Sequence, residues 1–239
     1  MDNDAAYINT EWVEESKFGK WFLRTDTWLK SVVQVACNNL EALLDTPIKS
    51  SSAILDIAVG TGVSLPELDK RFSPRTIVGV DIDPDGLKYA RNKASRCKAD
   101  IQLMESNANH INLPDASFDV IFCHQSMHHF VAQEQVMAEV FRLLKPGGKF
   151  LLAESTRAFI HSWPIKVFFR HPMHVQKTAD EYLQLVRNSG LVFTDNNISY
   201  PYTWWSRWDI GITQGILRRP IPKKREETLI NLVASKPYI

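Results

Sequence analysis

Ile54-Leu55-Asp56-Ile57-Ala58-Val59-Gly60-Thr61-Gly62 is the stretch that decides the fold of this 239-residue chain. Its first four residues have the character of a buried strand, and the glycines mark a tight turn. Leu65, Leu68 and Phe72 then recur at helical spacing, which predicts strand, turn and helix in succession. Gly60 and Gly62 lack a Cβ, so the backbone can take positive φ there and a ligand can lie against the main chain. The next helix adds unpaired N–H groups. Such a turn is built to hold a ligand.

Downstream the same unit repeats. Thr76-Ile77-Val78-Gly79-Val80-Asp81 is a second β-rich run ending in a carboxylate, and Asp83-Pro84 caps and starts a helix to about Ala94. Residues 101–104, 118–123 and 150–153 predict three more strands. Before the last of these, Val136, Val140, Leu143 and Leu144 mark a helix stopped by Lys145-Pro146-Gly147-Gly148. Residues 191–199 and 228–234 read as closing strands. Strands alternating with helices predict an α/β fold: a Rossmann-like, mostly parallel sheet covered on both faces, with ligands at the carboxyl ends of its strands.

Outside this core the pattern changes. Residues 5–44 are helical in period, with Trp28, Val32, Val33, Ala36, Leu40 and Leu43 on one face and Asp26 or Thr27 as N-cap. Trp12, Phe18, Trp21 and Phe22 suit an ordered lid. Residues 158–175 are rich in aromatics and histidines, and Thr178 to Glu181 supplies a capping box for a helix closed by Gly190. The expected organisation is an N-terminal helical lid (1–45) and one domain (46–239) carrying cap insertions at about 156–177 and 200–226.

Twenty-eight basic and 27 acidic side chains leave a net charge of +1, which provides no global field for nucleic acid. Cys37, Cys97 and Cys123 are odd in number and far apart, which predicts reduced thiols and no structural zinc. An acidic start without a basic, apolar leader, and the lack of any long apolar run, predict a cytoplasmic chain without a transmembrane segment.

A dinucleotide fingerprint would place a third glycine where Leu65 stands, and a P-loop would need Gly-Lys-Ser/Thr. The turn instead resembles the first motif of class I S-adenosylmethionine-dependent methyltransferases, an acidic residue followed by x-Gly-x-Gly-x-Gly. Ala58 stands where that family usually has its first glycine. The resemblance continues through Asp81, Glu105-Ser106-Asn107-Ala108 with Leu113-Pro114, Phe118 to His129, and the Leu-Lys-Pro-Gly-Gly turn at 144–148. It covers roughly residues 52–154 and is similar to the small-molecule type that methylates ubiquinone and menaquinone precursors.

That resemblance implies seven strands with the last one reversed, S-adenosyl-L-methionine as cofactor, and a small-molecule methyl acceptor attacked in line. It also implies a cofactor site built from Asp56, Ala58, Gly60, Thr61 and Gly62, with Ile82, Asn107, Ala108, Cys123 and His124. Asp81 would accept both ribose hydroxyls, as an acceptor-only carboxylate can. Ile82 would lie against adenine, and Asn107 would accept its amino group. His124 and His128 are the candidate catalytic bases, with Glu154 and His161 also near strand ends. The plain reading of His128 and His129 is a hydrogen-bonded pair at a helix start. His171 and His174, three apart with no third ligand, predict no metal site.

All seven tryptophans, from Trp12 to Trp208, lie outside residues 52–154. A pocket roofed by such rings favours an apolar or aromatic acceptor, although the rings also serve to glue a lid to the sheet. Trp204, Trp205 and Trp208, with Arg218, Arg219 and Lys223-Lys224-Arg225, suit contact with a membrane surface or an acyl carrier, or a solvated hairpin. A different class of function is a non-catalytic subunit that keeps the fold to bind a cofactor or partner. Cys123-His124-Gln125-Ser126 after the fourth strand lacks the Asn/Asp-Pro-Pro-Tyr/Phe of the usual amino-group methylating types.

Overall fold

The computed structural model describes residues 13, 15–207 and 225–238. Strand β1 (Ala53–Ile57) is buried along its whole length and lies at the centre of the sheet, parallel to β2 (Thr76–Asp81) on one side and β4 (Phe118–His124) on the other. With β3 (Asp100–Glu105), β5 (Leu144–Ser155), β6 (Ile198–Ser199) and β7 (Leu229–Ser235), the seven strands run in the order β3-β2-β1-β4-β5-β7-β6. β7 pairs antiparallel with both β5 and β6, so it is the reversed strand of an otherwise parallel sheet.

Side chains alternate across this sheet with the period of a strand, and each face acquires its own core. Leu55, Ile57, Val80 and Leu152 face α6 (Gln133–Leu143) and α9 (Ala179–Asn188), through Val136, Val140, Tyr182 and Val186. Ile54, Ile77, Phe122 and Leu151 face the other way. They meet α3 (Gln34–Ala42), α4 (Leu65–Phe72) and α5 (Pro84–Ala94) through Leu40, Leu65, Leu68 and Leu87. Helices on both faces leave only the strand ends open, as expected for parallel strands joined by crossovers.

Four local features depart from the sequence reading. The N-terminal helix is two pieces. α1 (Lys17–Phe22) ends before a turn, and α2 (Asp26–Trp28) runs through a π-helical turn (Leu29–Val33) into α3. The N-cap is Thr25, whose hydroxyl accepts the Trp28 N–H at 3.2 Å, and not Asp26 or Thr27. Lys145-Pro146-Gly147-Gly148 does not separate helix from strand. β5 already begins at Leu144, and the register jumps from Phe118↔Leu144 to Val120↔Lys149, so 145–148 form a bulge. Gly147, at φ +75°, donates its N–H to Lys236 O at 2.8 Å there. Finally, the strand expected over 191–199 shrinks to Ile198–Ser199, because Thr194 and Asn197 close a capped 3₁₀ turn within it.

Between β5 and α9 the chain makes α7 (Arg157–Ile160), α8 (Trp163–Phe168) and a 3₁₀ turn (Met173–Val175), which cap the strand ends together with the Trp204–Ser206 turn. Most of the insertion expected at 200–226, including Trp208, Arg218, Arg219, Lys223 and Lys224, lies outside the described residues, as does Trp12. Among the described residues, no helix is long and apolar enough to cross a membrane.

Candidate active site

The turn after β1 is held in place by its neighbour strand. Val59 N–H donates to Val80 O at 3.0 Å, and Gly60 N–H donates to Asp81 Oδ2 at 2.7 Å. The other Asp81 oxygen accepts the Asp83 N–H at 2.8 Å, so both lobes of the carboxylate are aimed while each keeps a lone pair to spare. Ala58 (φ +57°) and Gly60 (φ +52°) are both left-handed, and for alanine that conformation carries strain. A Cβ at Gly60 would meet nothing nearer than 4.0 Å, whereas one at Gly62 would stand 2.8 Å from Ala90 Cα. Gly60 therefore opens the turn to a ligand, while Gly62 lets α5 approach.

Asp56 lies beneath this turn, almost fully buried, and accepts the Ser64 hydroxyl at 2.5 Å. Burial pushes its carboxyl up to about 7, opposed by the Ser64 bond and reinforced by the charge of Asp81. Burial also raises Asp81, and the N–H groups of Asp83 and Gly60 pull it back.

A cleft of about 720 Å³ opens above these residues. Asp56, Ala58, Gly60, Thr61 and Asp81 line its floor, and Ile82, Asn107, Ala108 and His124 line its walls. Gly62 and Cys123 do not line it. Gly62 serves helix packing, and the Cys123 side chain, at the end of a core-facing row of β4, is sealed inside the hydrophobic core. Asn107 Oδ1, expected to be open to a ligand, accepts the Asn109 N–H at 3.2 Å.

The cleft fits the group that the motifs imply. A cationic nucleoside finds the carboxylates of buried Asp56 and half-buried Asp81, an uncrowded glycine against which to lie, and volume within the range of ordinary cofactor sites.

A second cavity of about 310 Å³ adjoins the first and is lined by Phe22, Trp28, Phe159, Phe169, Trp204 and Trp205, among others. Glu15, Leu23, Trp28, Gln125 and His129 line both. Trp205 fastens this roof to the lid by donating its Nε1–H to Ser31 O at 3.0 Å, and its ring meets Phe159 edge-on. Trp163 does not line the cavity, and Phe18, Phe22, Phe159, Phe168 and Phe169 contribute beside the three tryptophans, so tryptophan position alone was an incomplete guide.

The candidate bases separate on geometry. His128 is buried, with Nδ1 bonded to Glu154 Oε1; Glu154 also accepts the N–H groups of Ser126, Met127 and Ser155. Glu154 and the Nδ1 of His128 are thus committed to holding the turn after β4. Within the described residues the His124 Nε2 has no partner, and burial lowers this imidazole to about 4. Its ring stacks on Phe122 and meets Trp28 edge-on, so it acts as an aromatic wall of the cleft. His161 is exposed and lines neither cavity.

Two residues of the shared wall escaped the sequence reading. Glu15 Oε1 accepts N–H groups from Ser16 (2.6 Å) and Arg170 (3.0 Å), tying the lid to the cap, and burial raises its carboxyl. Gln125 is left-handed at φ +51°, and its Oε1 accepts the Ser155 hydroxyl at 2.5 Å. Neither has a local signal. Likewise His174 is exposed, while His171 meets His128 and His129.

The sheet order, the single reversed strand and the acid-lined cleft at the strand ends define the fold of the class I S-adenosylmethionine-dependent methyltransferases. A family model described as a methyltransferase domain matches residues 55–152. A demethylmenaquinone methyltransferase of Deinococcus radiodurans is 39% identical over 114 residues, covering 48% of this chain and 46% of that protein. A fatty-acid O-methyltransferase of Mycolicibacterium smegmatis is 25% identical over 154 residues, covering 64% of this chain and 54% of that protein. The chain thus spans about half the length of the curated relatives it matches. Among solved structures, a chain of the complex between the Haloferax volcanii Trm112 methyltransferase activator and a methyltransferase superposes with a TM-score of 0.66 at 17% identity. It covers 100% of this chain and 99% of that one, a likeness of fold.

Proposed function

We propose that this chain is an S-adenosylmethionine-dependent methyltransferase acting on a small, apolar or aromatic acceptor. The observation that carries the reading is the shared wall: an acid-lined cleft and an almost wholly apolar cavity meet at Glu15, Trp28, Gln125 and His129. When bound, S-adenosylmethionine supplies an electrophilic methyl for in-line displacement by an acceptor atom, the C–S electron pair staying on sulfur. Asp81 would hold the ribose hydroxyls, Ile82 would cover the adenine, Asn107 would accept its amino group, and Asp56 would supply negative charge beneath the turn. The chain's contribution is then orientation and exclusion of water. Glu15, raised by burial and standing on the shared wall, replaces His124 and His128 as the proton acceptor for a hydroxyl acceptor.

The names of the curated relatives accord with this acceptor class, one being a demethylmenaquinone and the other a fatty-acid methyltransferase. We take residues 1–45 as the lid, with 156–177 and 200–226 as the cap. The three free cysteines fit a reducing compartment, which we take to be the cytoplasm.

Tritiated methyl from S-adenosylmethionine, offered with a panel of naphthols, quinols and fatty acids beside phosphoethanolamine and oligonucleotides, tests this reading. Label should pass into organic-extractable product. Label only in the water-soluble acceptors would overturn it, and cofactor binding without turnover on any acceptor would favour the non-catalytic subunit.

A further inference from the structure

Three imidazoles from two distant stretches meet beside the shared wall. His128 and His129 belong to the 3₁₀ turn after β4, and His171 comes from the segment following α8. Their ring centroids are 4.3, 5.0 and 4.8 Å apart, one nitrogen of each lies within 4.8 Å of the others, and all three line the apolar cavity.

Several features make this a ligand set and distinguish it from a packing accident. With its Nδ1 bonded to Glu154 Oε1, His128 has only Nε2 left to offer a metal. A carboxylate behind a ligating histidine is the arrangement that orients metal-bound imidazoles and raises their basicity. His128 is held further through its carbonyl, which accepts Gln176 Nε2 at 2.8 Å.

We infer that His128, His129 and His171 form a three-histidine site for a divalent transition cation, zinc in type, whose open position faces the acceptor cavity. Zinc takes imidazole nitrogen at about 2.0–2.1 Å, which sets tetrahedral ligand nitrogens roughly 3.3 Å apart. The rings therefore need to close by about an ångström or more, and His129 and His171 are only partly buried at the cavity edge. The site requires nothing of the methyl-transfer reading. Its use does rest on that reading: an acceptor oxygen entering the cavity can take the open position and be fixed beside the cleft.

Cobalt(II) titration of the untagged full chain, followed by visible absorption, tests the site, with S-adenosylhomocysteine affinity measured on the same samples. One equivalent of cobalt should bind with the intense visible bands of a four- or five-coordinate ion and be displaced by zinc. His171→Ala and His129→Ala should each weaken binding tenfold or more, while H174A, outside the cluster, should leave it unchanged. Lack of saturable cobalt binding in the wild type, or equal affinity in the H171A and H129A variants, would overturn the site. An unchanged far-UV circular dichroism spectrum and a cooperative urea transition certify that a variant is folded. Cobalt binding without any S-adenosylhomocysteine binding would leave the metal site standing and remove the methyl-transfer reading.

Discussion

Asp81 Oδ2 accepts the Gly60 N–H at 2.7 Å, so the carboxylate closing β2 pins the glycine bend that follows β1. Both sides of the proposed nucleoside site are thereby joined by one hydrogen bond. Asp81→Ala removes the pin and the proposed ribose acceptor together. Hydrogen bonds to a charged group are worth about 1.5–3 kcal/mol, so S-adenosylhomocysteine affinity should fall roughly 10- to 150-fold. Calorimetry on D81A checks this, and an unchanged affinity speaks against the ribose assignment.

Ala58 sits at φ +57° where the related motif carries glycine. A Cβ in the left-handed region costs about 1–2 kcal/mol, against which glycine loses about 0.4–1 kcal/mol through the unfolded chain. Ala58→Gly should therefore leave stability unchanged or raise it by up to about 1.6 kcal/mol. Urea unfolding reads the difference, and a clear loss would show that the methyl group packs against something that outweighs the strain.

Asp56 predicts a pH signature. Its folded-state value of about 7 lies above the ordinary 3.8, so its contribution to stability is fully present below about 4 and is lost as pH rises through 7. The difference in unfolding free energy between the wild type and Asp56→Asn should thus shift against the wild type over that window. Affinity for the cationic cofactor should run the opposite way, rising as Asp56 ionises. A difference that stays flat with pH contradicts the assignment.

Trp204 is 51% exposed at the rim of the apolar cavity, and Trp205 is bonded to the lid. Trp204→Ala should raise the acceptor KM severalfold, on the scale of roughly 0.5–1.5 kcal/mol for an aromatic contact, with S-adenosylhomocysteine affinity unchanged. The reverse pattern would place Trp204 with the cofactor and refute the cap.

What was legible in the sequence is what the chain encodes locally. β1, its turn, β2 and Asp81 are short-range patterns whose periodicity and glycines state their own geometry, and Asp56, Ala58, Gly60, Thr61 and Asp81 line the cleft. The bulge at 145–148 was misread because Pro146 and Gly147 act as helix stops in isolation. Only pairing with β4 and the Lys236 carbonyl keeps them in the strand. The shared wall was illegible for the same reason. Glu15, Trp28, Gln125 and His129 come from three separate stretches, and no spacing relates them. The cluster of His171 with His128 and His129 arises only when the cap folds back over the strand ends.

The most direct test of the account is a calorimetric titration of the wild-type chain with S-adenosylhomocysteine at neutral pH. The account predicts saturable binding of one equivalent, abolished or strongly weakened in D81A. An absence of saturable binding to the folded chain would mean that the cleft between Gly60 and Asp81 holds no such nucleoside, and would contradict the proposal of methyl transfer at its root.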